Sequence, residues 1–181
     1  EIDDSYIAEL KKLSLNPEKI KEQEDLKIVY TPLHGTGNIP VQTVLKDLGF
    51  ENVYVVPEQE KPDGNFPTVT YPNPEDPKAF ELALKLATEK DADIVLANDP
   101  DADRIGMFVK NPTTGEYVLF NGNMAGLLIA EHILSSRKEK GILPENANLN
   151  GKIKYKGKEL TQESKEELRG KEITLIPQSV N

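Results

Sequence analysis

The sequence predicts an α/β protein, a three-layer α/β/α sandwich whose mostly parallel sheet carries an antiparallel hairpin at its edge. Three observations support this. Short apolar runs at 26–31, 53–56 and 93–97 alternate with segments whose apolar residues recur at helical spacing, the β-α-β-α-β order that builds a parallel sheet. Two further strand-like runs, Arg104–Val109 and Glu116–Phe120, flank Asn111-Pro-Thr-Thr-Gly115, a hairpin connection with a glycine available for positive φ. A chain of 181 residues has room for one ordinary domain and a small appendage.

Each element has its own signal. Tyr6, Ile7, Leu10 and Leu13 give 2–13 the stripe of a short amphipathic helix, and Asn16-Pro17-Glu18 reads as a cap followed by proline at the first helical position. Residues 26–31 (LKIVYT) form a buried strand. Val41, Val44, Leu45 and Leu48 then mark a helix over 39–48, stopped by Gly49. After the strand 53–56, residues 61–77 hold five prolines and Gly64 without periodicity, and ordered loops of that length are more often functional than not. Phe80, Ala83, Leu84 and Ala87 place a helix over 79–89. The continuous apolar run Asp93–Ala97 reads as a strand covered on both faces. Met124, Leu127, Leu128 and Leu134 define a last strong helix over 123–136. Beyond it, Ile153 and Tyr155 alternate with lysines, Thr161 and Ser164 are candidate caps, and 173–176 is a short strand.

Composition excludes several classes of function. The net charge of -9 repels a nucleic acid, so no such partner is expected. With no cysteine, disulfide staples and Cys-ligated zinc or iron-sulfur sites are ruled out. No apolar run approaches the roughly 18 residues of a membrane span, and the acidic start is unlike a leader, so a soluble cytoplasmic protein without a membrane partner is expected. Charge is uneven along the chain. Residues 148–181 carry seven Lys/Arg against five Glu, while the first 147 carry a net of -11.

The chemistry lies in Asn98-Asp-Pro-Asp-Ala-Asp-Arg104, which follows a strand directly and so sits at the carboxyl end of the sheet, where open α/β sheets bind ligands. Three carboxylates at alternate positions of a proline turn can converge on one point. Unpaired they repel one another, and a divalent cation removes the conflict. All-oxygen ligation favours Mg²⁺, Mn²⁺ or Ca²⁺ over zinc. An EF-hand is excluded because the sixth position is Arg104 instead of glycine and the twelfth is Lys110 instead of glutamate. The bland reading of such a run is a solvated acidic turn.

These residues resemble the metal-binding loop of the α-D-phosphohexomutases, the phosphoglucomutases and phosphomannomutases. Two other segments match in order. Thr31-Pro-Leu-His-Gly-Thr-Gly37 resembles the first strand-to-helix turn of the family's second domain, and Lys61-Pro-Asp-Gly-Asn-Phe-Pro67 with Pro72-Asn-Pro-Glu75 resembles its proline-rich loop. The resemblance covers about residues 1–147. It implies a cytoplasmic isomerase of carbohydrate metabolism that moves phosphate between the 1- and 6-positions of a hexose through a phosphoserine. It also implies one Mg²⁺ per active site, held by Asp99, Asp101 and Asp103, with Arg104 as a catalytic group facing the phosphate. His34, Gly35 and Lys61 are candidates for the phosphate or substrate cleft, beside the plain reading of a structural turn and a packed proline loop. Neither a dinucleotide fingerprint nor a P-loop is present, and His132 reads as a surface or packing residue.

The family's Ser-His phosphoserine loop, its sugar-selecting Gly-Glu-x-Ser-Gly loop and its Arg/Ser-rich phosphate loop have no counterpart here. The expected organisation is therefore 1–25 as the tail of a preceding domain or a leading helix, 26–147 as the Mg²⁺-binding second domain, and 148–181 as a lysine-rich segment of unknown origin. The partners implied are a hexose phosphate and domains I, III and IV of the same enzyme, without which this chain is expected to be inactive. The alternatives are a stand-alone divalent-metal or phosphate-binding module and a phosphatase-like domain with Asp99 as nucleophile.

Overall fold

A computed structural model of the chain describes residues 2–143 and the strand pairs 154–155 and 158–159. Helices α1 (Ile2–Lys12) and α2 (Pro17–Lys21) precede β1 (Ile28–Thr31), α3 (Asn38–Leu48) and β2 (Val53–Val55). A 3-10 turn at Pro77–Phe80 leads into α4 (Glu81–Lys90) and β3 (Ile94–Asn98). The hairpin β4 (Ile105–Lys110) and β5 (Tyr117–Phe120) follows, then α5 (Gly122–Glu139) and the two-residue strands β6 (Lys154–Tyr155) and β7 (Lys158–Glu159). Two compact units divide the chain, Glu1–Ile129 and Ala130–Asn181. In the second, β6 and β7 pair antiparallel. The boundary expected at 147/148, the caps at Thr161 and Ser164 and the strand at 173–176 lie outside the described residues. Among the described residues no helix is long and apolar enough to cross a membrane.

The main sheet has the order β2-β1-β3-β4-β5, with β1 parallel to both β2 and β3, and β4 antiparallel to both β3 and β5. Four of the five strands thus point the same way, and the reversed β4 belongs to the edge hairpin. The chain steps from β1 to β2 in one direction and from β2 back across β1 to β3 in the other. Right-handed crossovers in opposite directions put α3 and α4 on opposite faces, which gives the three layers.

Register explains the core. Tyr54, Val29, Val95, Phe108 and Leu119 form one row across five strands, facing the side that α4 covers with Ala83 and Ala87 and the turn before it covers with Phe80. The two alanines let the helix lie close to the sheet. Phe80 meets Phe108 edge-on at 4.9 Å between centroids, worth about 0.5–1.5 kcal/mol beyond burial. The continuously buried strand is β1, not β3 as its apolar run suggested. On β3, Val95 and Ala97 are buried while Ile94 and Leu96 are only half-covered. The reason is connectivity: β3, β4 and β5 are joined by tight loops, which bring no helix to that face.

Helix ends follow the sequence with one substitution. Gly49 stops α3 at φ 107°, and Asp91 does the same for α4 at φ 54°, with its carboxylate paired to Lys110. The helix expected from residue 79 begins at Glu81, after a 3-10 turn that has Pro77 at its start and Asp76 accepting a hydrogen bond from Lys78 N at 3.0 Å. Helix α1 packs on α3, with Ile7 buried and Lys11 3.0 Å from Asp47.

Gly106 is required by close packing. A Cβ there would lie 2.0 Å from the carbonyl oxygen of Pro74. Gly106→Ala is expected to destabilise the protein by about 2 kcal/mol, the usual cost of overpacking. Gly126→Ala, in α5 with open space around it, should instead stabilise by about 0.5–1 kcal/mol. Denaturant midpoints shifting the other way for the pair would refute this packing.

Candidate metal centre

The sheet order reverses at β1, so the loops that leave the carboxyl ends of β1 and β3 lie side by side. Residues 32–37 of the first touch 99–102 of the second. Thr36 donates to the carbonyl of Pro100 twice, from its backbone N at 2.8 Å and from its hydroxyl at 3.1 Å. Gly35 is pressed against Pro100, where a Cβ would lie 2.4 Å from Pro100 Cα. Gly37, at the start of α3, leaves room only for Ala102 on one side and the hydroxyl of Tyr30 on the other. Leu33, His34 and Ala102 all have left-handed backbone (φ 47°, 62° and 61°), which costs a residue with a side chain energy that the surrounding contacts must offset.

This folding brings one carboxylate oxygen each of Asp99, Asp101 and Asp103 within 4.8 Å of one another. Asp99 is fully buried, while Asp101 and Asp103 are exposed. The Asp99 carboxylate closes the loop on itself, accepting from Arg104 N at 2.9 Å on Oδ1 and from Arg104 Nε at 2.7 Å on Oδ2. Burial pushes its carboxyl up, but the backbone N–H and guanidinium of Arg104 outweigh burial and hold it below the ordinary aspartate value. Asp103 moves the other way. The negative charges of Asp101 and then of Asp99 oppose its ionisation, and proximity to Asp99 favours its protonated form, so its carboxyl is held above the usual range.

The donor set fits a hard divalent cation. Three clustered carboxylates are under mutual repulsion, and a carboxylate has about four acceptor sites, of which Arg104 takes two on Asp99. Arg104 sits at the rim, half-exposed, with Nη1 3.3 Å from Asn73 Oδ1. The hydrogen bond to Asp99 raises Arg104 and outweighs burial, which lowers it, and a hydrogen bond to Tyr71 raises it further.

Of the other cleft candidates, Gly35 packs directly on the carboxylate loop. The imidazole of His34 is buried and spent internally. Its Nδ1 lies 3.2 Å from the carbonyl of Lys61, which can only accept, so Nδ1 carries the proton, and Nε2 accepts from the Thr68 hydroxyl at 2.8 Å. Gln59 extends the network, donating to Thr68 at 3.0 Å and accepting from Thr31 at 2.7 Å. His34 therefore fastens the proline-rich loop to the β1 turn. Lys61 takes part through its backbone, with its side chain exposed. His132 is exposed on α5. Sequence reasoning missed Asn98, whose Nδ2 donates to Arg104 O at 2.8 Å, and the contacts of Asn73 and Tyr71 with Arg104. The Asn-Pro pair after Pro72 was the available turn signal.

Residues 4–115 match the family described as Phosphoglucomutase/phosphomannomutase, alpha/beta/alpha domain II. The chain is 41% identical over 129 residues to a phosphoglucomutase of Staphylococcus saprophyticus, covering 71% of this chain and 22% of that protein. It is 41% identical over 140 residues to the phosphopentomutase of Homo sapiens, covering 77% and 22%. The fold is also that of a putative phosphomannomutase from Thermus thermophilus, with a TM-score of 0.57 at 23% identity, covering 78% of this chain and 29% of that one. The chain thus spans about a fifth to a third of the length of these relatives.

The opposite shifts at Asp99 and Asp103 predict a titration order. On acidification of the metal-free protein Asp103 should protonate first and Asp99 last, read from ¹³C carboxyl resonances. The folded value of Asp99 is depressed, so its contribution to stability is full above the unfolded value near 3.8 and is lost as pH falls through the lower folded one. The raised value of Asp103 has the reverse sign, so Asp103→Asn should raise the unfolding midpoint at pH 7. Protonation of Asp99 before Asp103 would contradict the geometry.

Proposed function

The chain belongs to the phosphoglucomutase/phosphomannomutase family as an alpha/beta/alpha domain II, and on that premise we propose that it supplies the Mg²⁺ loop of a sugar-phosphate mutase. The observation that carries the proposal is the convergence of Asp99, Asp101 and Asp103 at the switch point of the sheet, with Arg104 fixed beside them. In this reading the three aspartates hold one Mg²⁺. When bound, the ion supplies Lewis acidity and charge neutralisation to a phosphoryl group. The residues of the chain do the rest. The carboxylates set the position of the charge, and Arg104 presents a guanidinium to the phosphate of a phosphoserine, where fixed positive charge favours phosphoryl transfer. Gly35, lacking a side chain, lets the β1 turn form the floor of the loop, and His34 with Lys61 anchors the proline-rich loop beside it.

The reaction proposed for the whole enzyme moves phosphate between the 1- and 6-positions of a hexose. Relatives named for glucose and for pentose phosphates are equally similar to this chain, which suggests that sugar selection is made by other domains. Neither a Ser-His pair nor any other recognisable phosphate carrier occurs in the 181 residues, so the nucleophile and the sugar-gripping loops are assigned to domains I, III and IV. A phosphatase-like role with Asp99 as nucleophile is disfavoured, because its carboxylate is buried and both oxygens are engaged by Arg104.

Titration with Mn²⁺ followed by paramagnetic NMR should broaden residues 98–104 first, and Asp101→Asn should weaken binding at least tenfold. A coupled assay with glucose 1-phosphate, glucose 1,6-bisphosphate and Mg²⁺ should read at background for this chain. Broadening centred elsewhere would refute the metal site. Turnover that Asp101→Ala abolishes would refute the division of labour between domains.

A further inference from the structure

Arg104 is half-exposed, so burial does not fix its guanidinium, and the contacts around it must do so. Its own loop supplies anionic partners, Asp99 Oδ2, which accepts from Nε at 2.7 Å, and Asp103, farther off at 3.8 Å. An earlier segment supplies neutral ones, the hydroxyl of Tyr71 and, 31 residues before the arginine, Asn73, whose Oδ1 receives Nη1 at 3.3 Å. Asn73 is itself held. Its Oδ1 also accepts from Glu75 N at 3.0 Å, which closes a side-chain turn, and its carbonyl accepts from Asp76 N at 3.0 Å. The next residue, Pro74, is fully buried, with its carbonyl seated on the bare backbone of Gly106. Gly106 lies on β4, two residues beyond Arg104. The turn and the arginine are therefore referenced to the same strand.

The contacts with Asp99 and Asn73 differ in charge. Asp99 is anionic, and its oxygens are those a metal ion would draw on, so a cation in the loop both repels the guanidinium and competes for its partner. The amide oxygen of Asn73 is neutral, and its attraction for Nη1 does not depend on what fills the carboxylate cluster. We propose that Asn73 is a positioning residue that holds the guanidinium of Arg104 at the loop rim whether or not a metal ion occupies the three aspartates. Its catalytic meaning rests on the function proposed above, but the grip itself does not.

The test reads rotation about the Cζ–Nη1 bond of Arg104 by ¹⁵N exchange NMR on the full 181-residue chain, without metal and with saturating Mg²⁺, the signal being assigned by Arg104→Lys. Rotation should be slow in both states. Asn73→Ser keeps a short oxygen for the turn but does not reach the guanidinium, and should speed rotation about fivefold, the loss of one hydrogen bond. Asn73→Asp, which retains both acceptor contacts, should restore slow rotation. Unfolding midpoints of the Ser and Asp variants verify that the fold is intact, a readout that the guanidinium contact hardly moves. Rotation unchanged in a folded Asn73→Ser protein overturns the proposal, as does failure of Asn73→Asp to rescue it. If Mg²⁺ does not bind but the metal-free contrast is seen, the positioning role stands and the metal assignment fails.

Discussion

A carboxylate shut away from water has to be paired, and Asp99 is paired within six residues of its own chain. Its two oxygens take the backbone and side-chain N–H groups of Arg104, which closes 99–104 into a ring and turns the intervening Asp101 and Asp103 outward beside it. A burial cost of several kcal/mol for an isolated ion is what makes that pairing obligatory. The closure also turns the chain back on itself, so β4 starts antiparallel to β3 and the hairpin becomes the edge of the sheet. The site and the topology thus depend on the same two hydrogen bonds.

The loop does not stand alone. Its other support is the β1 turn, made possible by a strand order that reverses at β1 and sets two carboxyl ends side by side. That turn is in turn fixed by a polar network, Thr31–Gln59–Thr68–His34, buried except at Thr68, which also gathers in the proline-rich segment. Polar networks of this kind, fully satisfied, specify one arrangement and resist alternatives. Here three separate stretches of sequence are locked into a single rim around the carboxylates.

Much of this was legible in the sequence for a physical reason. Periodicity reports what faces a core, so the alternation of strands and helices and the hairpin came through, and Asp-x-Asp-x-Asp after an apolar strand pointed to the carboxylate cluster that the fold assembles. What was not legible depended on tertiary neighbours. The run Asp93–Ala97 reads as fully buried, yet its second face is half-open because no crossover helix reaches it. Asp91 stops α4 in a left-handed conformation where no glycine announces an end. His34 reads either as a cleft residue or as part of a structural turn, and only the folded chain reveals that both ring nitrogens have partners within it. Asn73 is distant in sequence from the arginine that it touches, so no local pattern links the two.

The interlock of Gly35 with Pro100 bears on how such a site can change over time. Because the backbones meet where a methyl group would stand, the floor of the rim admits no new side chain without prising two loops apart. Variation there is closed, and a lineage adjusting this centre has only residues outside the interlock to work with. The innermost residues should accordingly behave as a fixed part handed down intact, while novelty accumulates around them.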